Sequence, residues 1–129
     1  MALYWEATFC LQPGGDTISR KAIVDALLLG CIPVLFFKST LTQWPWHWGE
    51  WVLNASVFID HQEIEDNRTD PVAHLASLPP ERVRAMQRTL ALHAHTLAYG
   101  LGPRGLPGDA IERLVSLIAA APNNSNGHA

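Results

Sequence analysis

Charge is scarce in this chain of 129 residues: Asp, Glu, Lys and Arg make up 16%, and their balance leaves a net charge of −3. Non-specific nucleic-acid binding rests on basic surface, so this balance argues against a nucleic-acid partner. Cysteine is scarce too. Cys10 and Cys31 are the only two, too few for a disulfide framework. Both stand in apolar surroundings, FCL and GCIPV, and read as buried free thiols acting as small hydrophobes. Long hydrophobic runs are missing as well. The most apolar stretch, residues 26–37, is about 12 residues long and is broken by Gly30 and Pro33, whereas a membrane-spanning helix needs about 20 apolar residues. Residues 1–5 carry neither the basic region nor the apolar run of a signal peptide. The segment is therefore expected to be soluble, with no targeting or transmembrane element of its own.

What is present is apolar. Hydrophobic residues reach 48%, enough for one domain with a real core. Residues 8–11 form a short apolar run closed by Pro13, Gly14 and Gly15, which reads as a buried strand ending in a loop. A helix is predicted over 19–29, with Ile23, Ala26, Leu27 and Gly30 on one stripe, Ser19 as N-cap, Ile18 placed to contact Ile23, and Gly30 as the stop. Residues 31–37, CIPVLFF, are apolar at every position, as a strand covered on both faces requires. Together these form a βαβ unit of about 30 residues. Beyond it, 38–54 reads as an irregular, tryptophan-rich segment, 56–60 as a short strand, 71–78 as a short helix and 80–99 as a long one. A Gly/Pro linker over 101–108 leads to a helix at 110–121 capped by Asp109, and a disordered tail is expected over 122–129.

Chemistry concentrates where the first strand turns into the first helix. Glycine lets backbone N–H groups approach a ligand closely, and a helix N-terminus favours an anion. Thr17 and Ser19 add hydroxyls, Arg20 a planar fork suited to phosphate, and Lys21 a second positive charge. Asp25, in the second turn, is placed to accept hydrogen bonds from ribose hydroxyls. Each feature also has a plain alternative: a tight turn at Gly14-Gly15, a simple cap at Ser19, solvated helix charges at Arg20 and Asp25. Their joint order favours a nucleotide site. Neither the dinucleotide G-x-G-x-x-G pattern nor the Walker G-x-x-x-x-G-K-[ST] pattern is present.

The pattern FCL-x-P-x-GD-x-x-SR followed by DA-x-x-x-GCIPV resembles the C-terminal half of exostosin-like glycosyltransferases, glycosyltransferase family 47. It runs from Phe9, Cys10, Leu11, Pro13, Gly15 and Asp16 through Ser19, Arg20, Asp25 and Ala26 to Gly30, Cys31, Ile32, Pro33 and Val34. The likeness continues more weakly to Tyr99, so residues 4–100 are expected to form a nucleotide-sugar-binding domain, and 101–121 a linker and helix. The resemblance implies a Rossmann-like parallel sheet with flanking helices, as in the C-terminal domain of a GT-B enzyme. It also implies a UDP-sugar donor, inversion at the anomeric carbon, a glycan or proteoglycan acceptor, and a Golgi-resident parent protein that is membrane-anchored. By position, Gly15, Asp16, Thr17, Ser19 and Arg20 would hold the diphosphate, and Asp25 the ribose. Leaving-group stabilisation by Arg20 and the helix N-terminus would take the place of a metal, so no cofactor is expected. The N-terminal acceptor domain of such enzymes is not in this sequence, no residue stands out as general base, and the chain alone is expected to be inactive. Other readings are a nucleotide-sugar-binding module without turnover and an α/β interaction domain.

Further features are less specific. The WPWHWGEW cluster could stack on sugar rings or simply cover the sheet. His93 and His95 fall on opposite sides of a helix and cannot form an i, i+4 metal pair. Sequons stand at Asn54, Asn67 and Asn123.

Overall fold

A short, wholly apolar run fits best where a sheet is covered on both faces. In the computed structural model, which describes residues 2–17, 19–100 and 107–121, that run is the strand β2, Ile32–Leu35, and all four residues are buried. It is the centre of a three-stranded parallel sheet, with β1 (Phe9–Gln12) on one side and β3 (Val57–Phe58) on the other. Phe9 lies opposite Ile32, and Val34 opposite Val57. The expected α/β class, a Rossmann-like parallel sheet with flanking helices, is what is observed. Proline in a central strand removes a ladder donor, and the register shows why it is tolerated. Ile32 N–H donates to Thr8 on the β1 side, and Leu35 accepts from Ile59 on the β3 side. Pro33 shares parity with Leu35 and therefore faces β3, where pairing begins only at Val34.

The crossover helix α2, Lys21–Leu28, buries Ile23, Ala26 and Leu27, each large side chain contributing about 1.5–3 kcal/mol. It ends as glycine at position 30 requires. Gly30 has φ +78, its N–H donates to Leu27, and Cys31 N–H donates to Ala26, the paired bonds of a left-handed C-terminal cap. The start differs from expectation. Arg20, not Ser19, is the N-cap, and no side chain caps the helix. Thr17 Oγ1 instead donates to the Ser19 carbonyl at 2.7 Å, which holds residue 19 in the loop outside the helix. The contact expected between Ile18 and Ile23 lies outside the described residues.

Cys10 and Cys31 are not free thiols. They form a disulfide between Cα atoms 5.9 Å apart, and both are buried. Cys10 lies in β1 and Cys31 at the entrance to β2, so the parallel pairing itself brings them within bonding reach. Tyr4, from α1 (Ala2–Glu6), packs against the pair.

The segment expected to be irregular holds α3 (Lys38–Leu41) and a 3-10 turn at Val52–Asn54. Packing decides the fate of three of its tryptophans. Trp48 and Trp51 are buried in the main core, Trp44 meets Trp48 edge-on at 4.9 Å, and Trp51 stacks on His93. Trp46 is exposed. Past β3 come α4 (His61–Glu65), α5 (Pro71–Ala76) and α6 (Pro80–His93). α6 is shorter than predicted. It tightens at Ala94–Leu97 into a 3-10 turn, where Thr96 Oγ1 lies 2.9 Å from the His93 carbonyl and 3.0 Å from that of His47. Its Met86 and Leu90 close the core. The last helix, α7, spans Ala110–Ala120 and is capped by Asp109 as expected. Most of the expected linker and the whole tail lie outside the described residues. Among the described residues, no helix is long and apolar enough to cross a membrane.

Candidate functional site

β1 delivers the chain to the carboxyl edge of the sheet, and the loop from Pro13 to the start of α2 lies there on the surface. Gly15, Asp16, Thr17 and Ser19 are exposed, and Arg20 is half-buried. Gly14 lies close under Phe37: an added Cβ would sit 2.8 Å from the Phe37 ring, so a side chain at 14 would force the ring or the loop to shift. Arg20 folds back over the loop. Its Nη1 donates to the Pro13 carbonyl at 2.6 Å, and a Cβ on Gly15 would meet the guanidinium group at 3.8–3.9 Å. Loop and guanidinium therefore share one corner. Arginine carries five N–H donors, so the single bond to Pro13 leaves most of its capacity for a ligand.

Asp25 is held by a neighbour on its own helix. Both carboxylate oxygens accept from Lys21 Nζ at 2.7 Å, across one turn of α2. Lys21 is 80% exposed, and such surface pairs contribute only about 0–1 kcal/mol. Exchange of this pair for a ligand hydroxyl is therefore cheap. The structure thus brings Gly15, Thr17, Ser19 and Arg20 together, while Asp25 and Lys21 satisfy each other.

The N-terminus of α2, like those of α3 and α6, has no side-chain cap. Asp60, Asp70 and Asp109 each accept first-turn N–H groups at the starts of α4, α5 and α7. Among the described residues, the N–H groups of Lys21 and Ala22 have no such partner. First-turn N–H groups, the helix dipole and a nearby guanidinium suit an anion of more than one charge.

Beside the loop runs an open groove of about 320 Å³ over the ends of β1 and β2. Leu11, Pro13, Phe36, Phe37, Ile64 and Pro71 make its walls apolar, with His61 and Glu65 as its polar groups. Leu11 is half exposed there, and His61 stacks on Phe37 at 4.5 Å. His61 Nδ1 lies 3.2 Å from Asp60 Oδ1. Gln12, the last residue of β1, is buried with its Nε2 unpaired among the described residues. Sequence reasoning passed over His61, Glu65 and Gln12. The signal for His61 was its place just after a parallel strand, where ligand-facing residues gather. No comparable signal marks the other two. Among the described residues, no group of three or more His, Cys, Asp or Glu side chains is arranged to share a metal ion.

A parallel sheet with an open, glycine-lined loop and an uncapped helix at its carboxyl edge defines a Rossmann-like α/β domain. Comparison with known proteins takes this one step further. The family model for the exostosin GT47 domain matches residues 1–72, and the chain belongs to that family. It is 34% identical over 115 residues to a probable xyloglucan galactosyltransferase, GT15, of Arabidopsis thaliana, covering 87% of this chain and 24% of that protein. It is 36% identical over 99 residues to the xyloglucan galactosyltransferase XLT2 of the same plant, covering 76% and 19%. A xyloglucan-specific galacturonosyltransferase of that plant is 36% identical over 100 residues, covering 77% and 15%. This chain thus spans about a quarter or less of the length of these relatives. One alignment covers 92% of the chain, so the likeness reaches past Gly100, further than the motifs alone indicate.

Proposed function

We propose that this chain is the donor-gripping segment of a glycosyltransferase that takes a UDP-activated sugar and passes it to a glycan acceptor with inversion. The observation that carries this reading is the open N-terminus of α2, with the Arg20 guanidinium folded over the loop that leads into it. The diphosphate would lie across the amides of Gly15 and Asp16, the hydroxyls of Thr17 and Ser19, and Arg20. Asp25, released from Lys21, would accept the ribose hydroxyls, and Lys21 would then add a second positive charge.

In the reaction an acceptor hydroxyl oxygen attacks the anomeric carbon from the face opposite UDP, and the bond from that carbon to the β-phosphate oxygen breaks. Charge gathers on the departing diphosphate, where Arg20 and the helix N-terminus stabilise it in place of a metal. The acceptor proton passes to a base from outside the segment described above. The groove beside Gly14 suits the acceptor. Aromatic and proline walls fit the apolar faces of pyranose rings, and Glu65 and His61 offer partners for hydroxyls. The relatives named for xyloglucan favour a polysaccharide acceptor over a proteoglycan.

In the whole protein a second domain would close over this edge to frame the acceptor in a GT-B arrangement. A Golgi-lumenal setting on a membrane-anchored parent agrees with the buried disulfide, which belongs to an oxidising compartment. The chain alone is expected to bind UDP and transfer nothing, because half a cleft cannot orient two substrates. Chemical-shift mapping with UDP tests the assignment. The amides of Gly15, Lys21 and Ala22 should move most, and shifts confined to α7 would rule it out.

A further inference from the structure

Three sequons occur, at Asn54, Asn67 and Asn123, and the last lies outside the described residues. The fold treats the other two differently. Asn54 closes a 3-10 turn that runs straight into the core: Ala55, Ser56 and Val57 are all buried, and the Ser56 hydroxyl donates to the Val52 carbonyl at 2.6 Å. Asn54 itself is exposed but the rest of its sequon is not, whereas Asn67 follows α4 on the surface, exposed together with Asp66 and Arg68. Asn67 N–H donates to Ile64 and Arg68 N–H to Glu63, the bond pair that ends a helix on a left-handed residue. Asn67 is that residue, with φ 54. Glycine would serve the turn at least as well, so backbone geometry does not demand the Asn-x-Thr pattern found there.

A second observation bears on the compartment. The buried Cys10–Cys31 disulfide ties β1 to the start of β2, and such bonds form in the oxidising secretory pathway, where glycans are attached to asparagine. We infer that Asn67 is an N-glycosylation site and that Asn54 is not. The co-reactant is an oligosaccharide linked to a lipid diphosphate. The Asn67 amide nitrogen attacks the anomeric carbon, a C–N bond forms as the C–O bond to phosphate breaks, the lipid diphosphate leaves, and the amide nitrogen gives up one proton to a base.

The test is expression of the full chain behind a secretory leader in eukaryotic cells, followed by peptide mapping with and without peptide N-glycosidase. The Asn67 peptide should carry a glycan and, after enzymatic release, show the mass change of asparagine converted to aspartate. The Asn54 peptide should be unmodified in both samples. Asn67→Gly should abolish the modification while melting no lower than the enzymatically deglycosylated chain, because the left-handed turn is kept. An unmodified Asn67 peptide in the secreted chain, or a glycan on Asn54, would overturn the inference.

Discussion

α5 and α2 both begin beside side chains able to cap them, and they use those side chains in opposite ways. At α5, Asp70 accepts from the N–H groups of Val72 and Ala73. At α2, the hydroxyls of Thr17 and Ser19 stand in the preceding loop, yet Thr17 turns to the Ser19 carbonyl and the helix is left uncapped. The first helix start has a cap of its own, while the second, like those of α3 and α6, has none. The open end lies at the carboxyl edge of the parallel sheet, where ligands of α/β folds bind.

The comparison can be broken or sharpened by substitution. The largest effect is expected from the disulfide that anchors the strand leading into the open corner. Cys31→Ala opens a loop with a sequence separation of 21 and should cost about 3 kcal/mol of stability, read from urea unfolding. Arg20→Ala should weaken UDP binding by about 1.5–3 kcal/mol, the scale of a charge-assisted hydrogen bond, with little change in melting temperature. Asp70→Ala removes a working cap and should cost about 1 kcal/mol of stability. Ser19→Ala should cost less than about 0.5 kcal/mol, because Ser19 caps nothing. A loss at Ser19 equal to that at Asp70 would erase the contrast between the two helices.

Acid provides a further check at α7. N–H groups of Glu112, Gly100 and Ile111 donate to the Asp109 carboxylate and hold its pKa below the ordinary value, against an opposing contribution from burial. A lowered folded pKa means that the stabilisation is complete above the unfolded value of about 3.9 and fades as pH falls through the folded one. The amides of Ile111 and Glu112 should lose exchange protection as the pH drops below about 4, and Asp109→Asn should flatten that dependence.

Much of the fold was legible because its central signals are local. An all-apolar CIPVLFF, a helical stripe through Ile23 and Leu27, and glycine at position 30 each point to one structure. What stayed hidden is tertiary. Strand register, not spacing, brings Cys10 to Cys31. The start of α2 falls at Arg20 rather than at Ser19, and Thr96 reaching the His47 carbonyl accompanies the early end of α6. At the candidate site the loop and Arg20 were legible from their order. The groove was not, because Phe37, His61 and Ile64 meet only once β2 and α4 are placed side by side. The Asp25 pairing with Lys21 could have been read from their i, i+4 spacing.

Calorimetric titration of UDP into this chain and into its Arg20→Ala variant tests the central claim most directly. Saturable heat for the native chain, with affinity reduced roughly 10-fold or more in the variant, is the expected result. No heat of binding, or equal affinity in the two proteins, would contradict it.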